Sequence, residues 1–159
     1  MHLSPVQDYL DALHAWHVGS TDGQVADYIP ELSSVDPDQF GICIATHDGH
    51  VYETGDAQQA FTIQSISKAL TYGLALEVHG EAAVLDRIGL EPTGDAFNAI
   101  SLKPQSGAPF NPMINAGAIA ACGLVPGDTA DAKIARILDT FSKYAGRTLD
   151  IDDRVYRSE

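Results

Sequence analysis

A serine and a lysine three residues apart are the pair in this sequence best suited to covalent chemistry. Ser65 lies where a β-rich run turns into a helical pattern, and Lys68 follows three positions later. Residues three apart share one face of a helix, so the amine is expected within reach of the hydroxyl. If burial deprives the lysine of its proton, it can take the proton of the serine and make it a nucleophile. The spacing S-x-x-K is that of acyl-transferring serine enzymes.

Hydrophobic spacing and turn residues predict the elements that must position this pair. Ser65, at the first turn of its helix, is expected to cap unpaired backbone amides, and Gly80 is expected to end that helix. Asp48 and Gly49 indicate the turn of a β-hairpin. Residues 94–111 are predicted to be a long loop, which in a compact domain is often functional. The predicted helices cover residues 5–18, 65–78, 81–88, 111–123 and 128–144, and the predicted extended segments cover residues 41–46, 51–54 and 61–64.

Composition and charge exclude several classes of function. The sequence has 9 basic and 22 acidic residues, a formal net charge of −13, without a cluster of lysine and arginine, so no nucleic-acid binding is expected. The longest apolar run, residues 114–125, is too short to cross a bilayer, and the N terminus shows no secretory signal. Cys43 and Cys122 lie in apolar runs and are predicted to be buried free thiols. These features predict a cytoplasmic protein without a membrane segment.

Two groups of potential metal ligands have simpler explanations. Cys43, His47 and His50 belong to the predicted hairpin, and no fourth ligand is near them in sequence. The acidic residues 150–153 lack the glycine that a calcium loop requires, so a solvated acidic turn is predicted there. The glycines form no nucleotide-binding pattern. Neither a metal nor a cofactor is therefore predicted.

The run from Asn111 to Ile119 contains a polar residue that needs an explanation. Its small residues are typical of a tightly packed helix, but Asn115 is costly in an apolar helix unless its amide is paired. A buried amide near a nucleophilic serine is a natural ligand for a polar substrate. The run therefore leaves two interpretations open, a packing helix and a substrate-binding helix.

Together these stretches resemble the serine-dependent glutaminases. The matching segments, in family order, are residues 25–30, 64–68, 110–119 and 158–159. The resemblance implies an α+β fold similar to that of β-lactamases and transpeptidases, with a helical lobe and part of an antiparallel sheet. It implies that the family catalytic domain is roughly twice as long as this chain. Residues 1–159 are then expected to be an incomplete catalytic domain, with the N-terminal helix and first strands in 1–64 and the nucleophile helix and helical lobe in 65–159.

The resemblance also implies a chemistry, the hydrolysis of L-glutamine to L-glutamate and ammonia through an acyl-enzyme without a cofactor. Ser65 is implied to be the nucleophile and Lys68 the base that activates it. The residues implied to contact the substrate are Tyr28, Gln64, Ser65, Asn115 and Glu159. Homo-oligomers are common in the family, so the full-length form is expected to be one. Because the C-terminal strands and half of the pocket are expected to be missing, the chain alone is predicted to be inactive.

Two alternatives remain open at this point. The first is another serine acyl-transfer amidase of the same fold, such as a β-lactamase or a peptidase. The second is a non-catalytic product, either a gene fragment or a module that pairs with a partner chain. The run Asn111–Ala118 favours the glutaminase interpretation over the first alternative, but nothing in the sequence excludes the second.

Overall fold

The computed structural model describes residues 4–159. Residues 1–3, on which the expectation about a secretory signal partly depends, lie outside the described residues. The described chain forms seven helices and one two-stranded sheet, which is an α+β fold as predicted. The elements are α1 (Pro5–His17), α2 (Pro30–Ser33), β1 (Gly41–Ala45), β2 (Val51–Gly55), α3 (Ile66–His79), α4 (Glu81–Leu85), α5 (Asn115–Leu124), α6 (Ala130–Ala145) and α7 (Asp153–Ser158).

These elements belong to two compact units. The first unit contains the described residues up to Thr62 together with Ile151–Glu159. The second unit is Ile63–Asp150. None of the helices formed by residues 4–159 is long and apolar enough to cross a membrane.

In the first unit, helix α1 packs against the β1–β2 hairpin. The two strands are antiparallel, with Gly41 opposite Gly55 and Ala45 opposite Val51. The predicted turn is confirmed: Gly49 has a φ of 88°, which glycine adopts without the steric cost that a side chain would cause. Leu10 of α1 is fully buried. Helices α2 and α7 also pack against each other within this unit.

The predicted third extended segment, residues 61–64, is wrong as a strand. Within the described chain, residues 61–63 pair with no strand, and Gln64 lies in a turn with a φ of 44°. A left-handed residue cannot continue an extended ladder, so the chain turns here into α3. Phe61 is 79% exposed, so the apolar character that suggested a strand does not reflect burial.

The second unit has a small apolar core where α3, α4 and α5 meet. The buried members are Ala75, Val84, Ile88 and Ala121. Helix α5 begins at Asn115, four residues later than predicted. The Asn111 side chain accepts hydrogen bonds from the backbone N–H groups of Met113 and Ile114, at 3.0 and 3.2 Å. Asn111 therefore closes a turn ahead of the helix instead of starting it.

The acidic stretch near the end of the chain is also more ordered than predicted. Asp152 accepts hydrogen bonds from the backbone N–H groups of Arg154 and Val155, which caps the short helix α7. A carboxylate at this position is favourable because it faces the unpaired amides at the helix N-terminus. The solvated turn predicted for residues 150–153 therefore agrees with residues 150–152, which are exposed and outside any helix, and is wrong for Asp153, which begins α7.

Both cysteines are free but exposed, so the prediction that they are buried is wrong. Cys43 follows the half-buried Ile42 in β1, and side chains alternate between the two faces of a strand. Cys122 follows the buried Ala121, and successive residues of a helix point in different directions. Partial desolvation nevertheless raises the pKa of the Cys122 thiol above its ordinary value.

The predicted loop at residues 94–111 is confirmed, and it is tied to its surroundings. Leu102 bridges Pro109, and the Lys103 ammonium lies 2.8 Å from the Glu91 carboxylate. The hydrogen bond from Lys103 lowers the pKa of Glu91. The Asn111 side-chain amide donates to the Glu91 carbonyl at 3.0 Å, which fixes the end of the loop ahead of α5.

Gly117→Ala is expected to destabilise the chain by about 1–3 kcal/mol. A Cβ at this position of α5 would overlap the carbonyl oxygen of Asn111, a backbone atom that cannot rotate away. Thermal unfolding measures the effect. The matched control is Gly73→Ala in α3, where a Cβ would meet nothing within 4 Å. That change is expected to be neutral or to stabilise the helix by up to about 1 kcal/mol. Equal stability of the two variants would contradict the prediction.

Candidate active site

The predicted nucleophile lies in a turn immediately before helix α3. Ser65 has a φ of −66° and a ψ of −8°, and its backbone carbonyl accepts from the Lys68 N–H at 3.2 Å. The predicted cap is wrong, because the Ser65 side chain makes no capping hydrogen bond. The Ser65 hydroxyl is exposed and has no hydrogen-bond partner among residues 4–159. It is therefore free to meet a ligand.

Lys68 is held by groups from outside its own helix. Its ammonium donates to the side-chain oxygen of Asn115 at 2.6 Å and to the carbonyl of Met113 at 3.1 Å. It also lies 5.4 Å from the centre of the Phe97 ring, a distance at which a cation is attracted to the ring face. Within the described chain the Lys68 ammonium makes no hydrogen bond to the Ser65 hydroxyl; the two residues are joined only through their backbones. Ser65 and Lys68 lie about one turn apart at the start of α3. The amine is fixed by Asn115, the first residue of α5, and by Met113 in the turn before that helix.

Asn115 is paired, as the sequence argument requires, but it is exposed and not buried as predicted. It is the first residue of α5, and its backbone N–H donates to the carbonyl of Phe97 at 2.9 Å. Its side-chain oxygen accepts from Lys68, while its side-chain N–H groups donate to no residue within 4–159. The exposed amide therefore keeps two donors for a ligand.

Sequence reasoning missed two residues of this cluster, Phe97 and Met113. Phe97 contacts both functional residues, because its ring faces the Lys68 ammonium and its carbonyl accepts from the backbone N–H of Asn115. The signal that could have found it is its position in the loop at residues 94–111, which was predicted to be functional. Met113 contributes only its backbone carbonyl, and no side-chain pattern can reveal such a role.

The remaining predicted residues are divided between the two units. Gln64 precedes Ser65 in the second unit and is the only non-glycine residue with a positive φ among residues 4–159. Tyr28 and Glu159 belong to the first unit. Tyr28 is 71% exposed shortly before α2, and the Glu159 N–H donates to the Val155 carbonyl at 3.1 Å after α7. Since α2 and α7 pack against each other, these two residues flank a helix pair of one unit.

The potential metal ligands do not assemble. No group of three or more His, Cys, Asp or Glu side chains within residues 4–159 is arranged to hold a metal ion. His50 lies instead 3.2 Å from the carboxylate of Asp48 across the hairpin turn. Hydrogen bonds from Thr46 and then from His50 lower the pKa of Asp48. These residues therefore serve the turn.

The chain has the α+β, β-lactamase-like fold of the solved structures that it matches, with the S-x-x-K pair at the start of α3. The family model described as Glutaminase matches residues 23–159. The chain therefore belongs to the glutaminase family, and the resemblance inferred from its motifs is confirmed.

Individual relatives agree with this assignment. The chain is 52% identical to a glutaminase of Nostoc sp. over 156 residues, which are 98% of this chain and 47% of that protein. It is 48% identical to a glutaminase of Microcystis aeruginosa, covering 98% of this chain and 46% of the relative. The chain thus spans about half the length of the curated relatives it matches.

Solved structures give the same result. The chain matches a probable glutaminase, YbaS, with a TM-score of 0.92 and 39% identity, over 99% of this chain and 52% of the other. It matches the glutamate form of the protein Mglu with a TM-score of 0.89 and 44% identity, over 99% of this chain and 37% of the other. A probable glutaminase of Bacillus subtilis complexed with 6-diazo-5-oxo-L-norleucine matches with a TM-score of 0.81 and 34% identity. The match covers 100% of this chain and 47% of the other.

Proposed function

We propose that this chain supplies the nucleophile, the base and a substrate-binding amide for the hydrolysis of L-glutamine to L-glutamate and ammonia. The observation that carries the proposal is the junction of α3 and α5 in a member of the glutaminase family. There the Lys68 amine is fixed by Asn115 and by the Met113 carbonyl, one helical turn from the unpaired hydroxyl of Ser65. A nucleophile and a positioned amine are groups that acyl transfer from an amide requires, and the free amide of Asn115 can bind a polar substrate.

The first step forms a γ-glutamyl ester on Ser65. The Ser65 Oγ attacks the side-chain amide carbon of glutamine while its proton passes to the neutral amine of Lys68. The negative charge develops on the amide oxygen, and the Ser65 N–H, which donates to no residue within 4–159, supplies one donor for it at the positive end of α3. The C–N bond then breaks, and the proton on Lys68 leaves with the ammonia. Water attacks the ester in the second step, which releases L-glutamate and restores Ser65.

The hydrogen bonds of Lys68 suit this role as a base. A neutral primary amine has two N–H donors and one lone pair. Asn115 and the Met113 carbonyl accept one hydrogen bond each. Both donors are then occupied, which leaves the lone pair for the proton of Ser65. The two acceptors therefore orient the amine for proton transfer.

The substrate contacts extend this proposal to the ends of the glutamine molecule. The free N–H groups of Asn115 suit the α-carboxylate, and the carboxylate of Glu159 suits the α-ammonium. Tyr28 and Gln64 complete the proposed set.

We further propose that the full-length form is a homo-oligomer in the cytoplasm. The two free thiols support this location, because oxidising compartments favour disulfides.

A chimera tests the function directly. This chain replaces the matched 156-residue part of the Nostoc glutaminase, and the product is called the Nostoc chimera. We expect it to release ammonia from L-glutamine and to leave a chromogenic β-lactam intact. Incubation with 6-diazo-5-oxo-L-norleucine should add one adduct, located on Ser65 by mass spectrometry. Cleavage of the lactam with glutamine untouched would favour another acyl-transfer amidase of the same fold.

The 159-residue chain by itself is expected to show no glutamine turnover. The reason is that the chain covers 47% of the glutaminases of Nostoc sp. and Trichormus variabilis, and we propose that the part it does not cover completes the site. Ammonia release is measured for equal concentrations of the chain and the Nostoc chimera, with glutamate dehydrogenase as the coupled detector. Detectable glutamine turnover by the purified chain would contradict this prediction.

A further inference from the structure

The residue before the proposed nucleophile has an unusual backbone conformation. Gln64 has a φ of 44°, in the left-handed region that residues with a side chain rarely adopt. Such a conformation persists only where surrounding contacts hold it, and it is frequent at functional sites. The contacts that hold Gln64 are therefore a part of how the site is built.

The carbonyl of Gln64 is held twice by one residue, Ser67. The Ser67 backbone N–H donates to this oxygen at 3.1 Å, and the Ser67 hydroxyl donates to it at 2.6 Å. A carbonyl oxygen has two lone pairs, so Ser67 can occupy both. The side chain is half-buried, which shields the hydrogen bond from competing water.

Fixing this carbonyl also fixes a group of the nucleophile. The carbonyl of Gln64 and the N–H of Ser65 belong to the same peptide unit, which is planar and trans. The two groups therefore point in opposite directions, and neither can rotate without the other. The direction of the Ser65 N–H is thus set by the two hydrogen bonds that the Gln64 carbonyl accepts.

We propose that Ser67 is a positioning residue whose hydroxyl holds the left-handed turn at Gln64 and so aims the N–H of Ser65. The inference rests on the proposed function, in which that N–H stabilises the negative charge of the intermediate. It assigns to Ser67, the second serine of the segment from Ser65 to Lys68, a role distinct from those of the nucleophile and the base. A hydroxyl is required at this position, and threonine is expected to replace serine.

The test is an NMR comparison of variants of the 159-residue chain. The three-bond coupling between the amide and α protons of Gln64 reports its φ, and the amide resonance of Ser65 reports the orientation of the peptide. Ser67→Ala is expected to change both signals, whereas Ser67→Thr should retain them. Thr140→Ala is the matched control, because Thr140 makes a hydroxyl-to-carbonyl hydrogen bond of 2.9 Å inside the regular helix α6. It is expected to leave both signals unchanged.

These signals do not depend on turnover, so they decide the role of Ser67 even if the Nostoc chimera hydrolyses no glutamine. If Ser67→Ala does not fold, Ser67→Cys keeps the volume with a weaker donor and is expected to give the same change. In an active chimera, Ser67→Ala should lower kcat about 10-fold or more with KM within about twofold, and Ser67→Thr should restore kcat. Unchanged Gln64 and Ser65 signals in Ser67→Ala and Ser67→Cys, or an unchanged kcat, would overturn the proposal.

Discussion

Replacing Ser65 by alanine is expected to lower glutamine turnover by the Nostoc chimera about 10⁴-fold or more, the scale seen when a serine nucleophile is removed. The variant cannot form the γ-glutamyl ester, because the oxygen of that ester is the Ser65 Oγ, which alanine lacks. Ammonia release gives the rate, and the adduct with 6-diazo-5-oxo-L-norleucine should disappear in parallel.

The same substitution should leave the fold unchanged. The Ser65 hydroxyl is exposed and has no hydrogen bond within residues 4–159, so its loss is expected to change stability by less than about 0.5 kcal/mol. Ser20→Ala, an exposed serine between α1 and α2, is the control and should retain full turnover. Turnover by Ser65→Ala within tenfold of the parent chimera would exclude Ser65 as the nucleophile.

Local signals in the sequence predicted the helix that follows Ser65 to within one residue at each end. Leu70 and Leu74 recur at helical spacing, and Gly80, with a φ of 76°, ends the helix as its conformational freedom allows. The hairpin was predictable for the same reason, because Asp48 and Gly49 specify a tight turn without help from distant residues. Features that short-range chemistry determines were therefore the ones the sequence revealed.

The partners of Lys68 could not be predicted in this way. Lys68 and Asn115 are 47 positions apart, and only the packing of α3 against α5 brings them together. The start of α5 was ambiguous as well, since asparagine followed by proline suits both a helix start and a turn. In the folded chain Asn111 takes the turn, which leaves Asn115 as the first helical residue and exposes its amide. The burial predicted for Asn115 failed because it assumed the earlier helix start.

Replacing Lys68 by alanine is expected to lower kcat of the Nostoc chimera about 10²–10⁴-fold, the range typical of a lost general base. The fold should survive. The Lys68 ammonium donates to the Asn115 side chain and to the backbone of Met113, which is 44% exposed. Both are exposed residues, so water can reach these groups when the amine is removed. The stability cost is therefore expected to be about 1 kcal/mol or less. Lys133→Ala is the matched control, because Lys133 donates to the Gly123 carbonyl at 2.7 Å in the same unit.

Lys68→Arg separates a base from a fixed positive charge. A guanidinium keeps the charge and can still donate to Asn115 and to the Met113 carbonyl, but it does not lose a proton in a protein. If Lys68 takes the proton of Ser65, the arginine variant should be about as slow as Lys68→Ala although it folds normally. Near-normal turnover by Lys68→Arg would instead mean that the lysine serves only to hold Asn115 in place. The proton of Ser65 would then have to be accepted by a group other than Lys68.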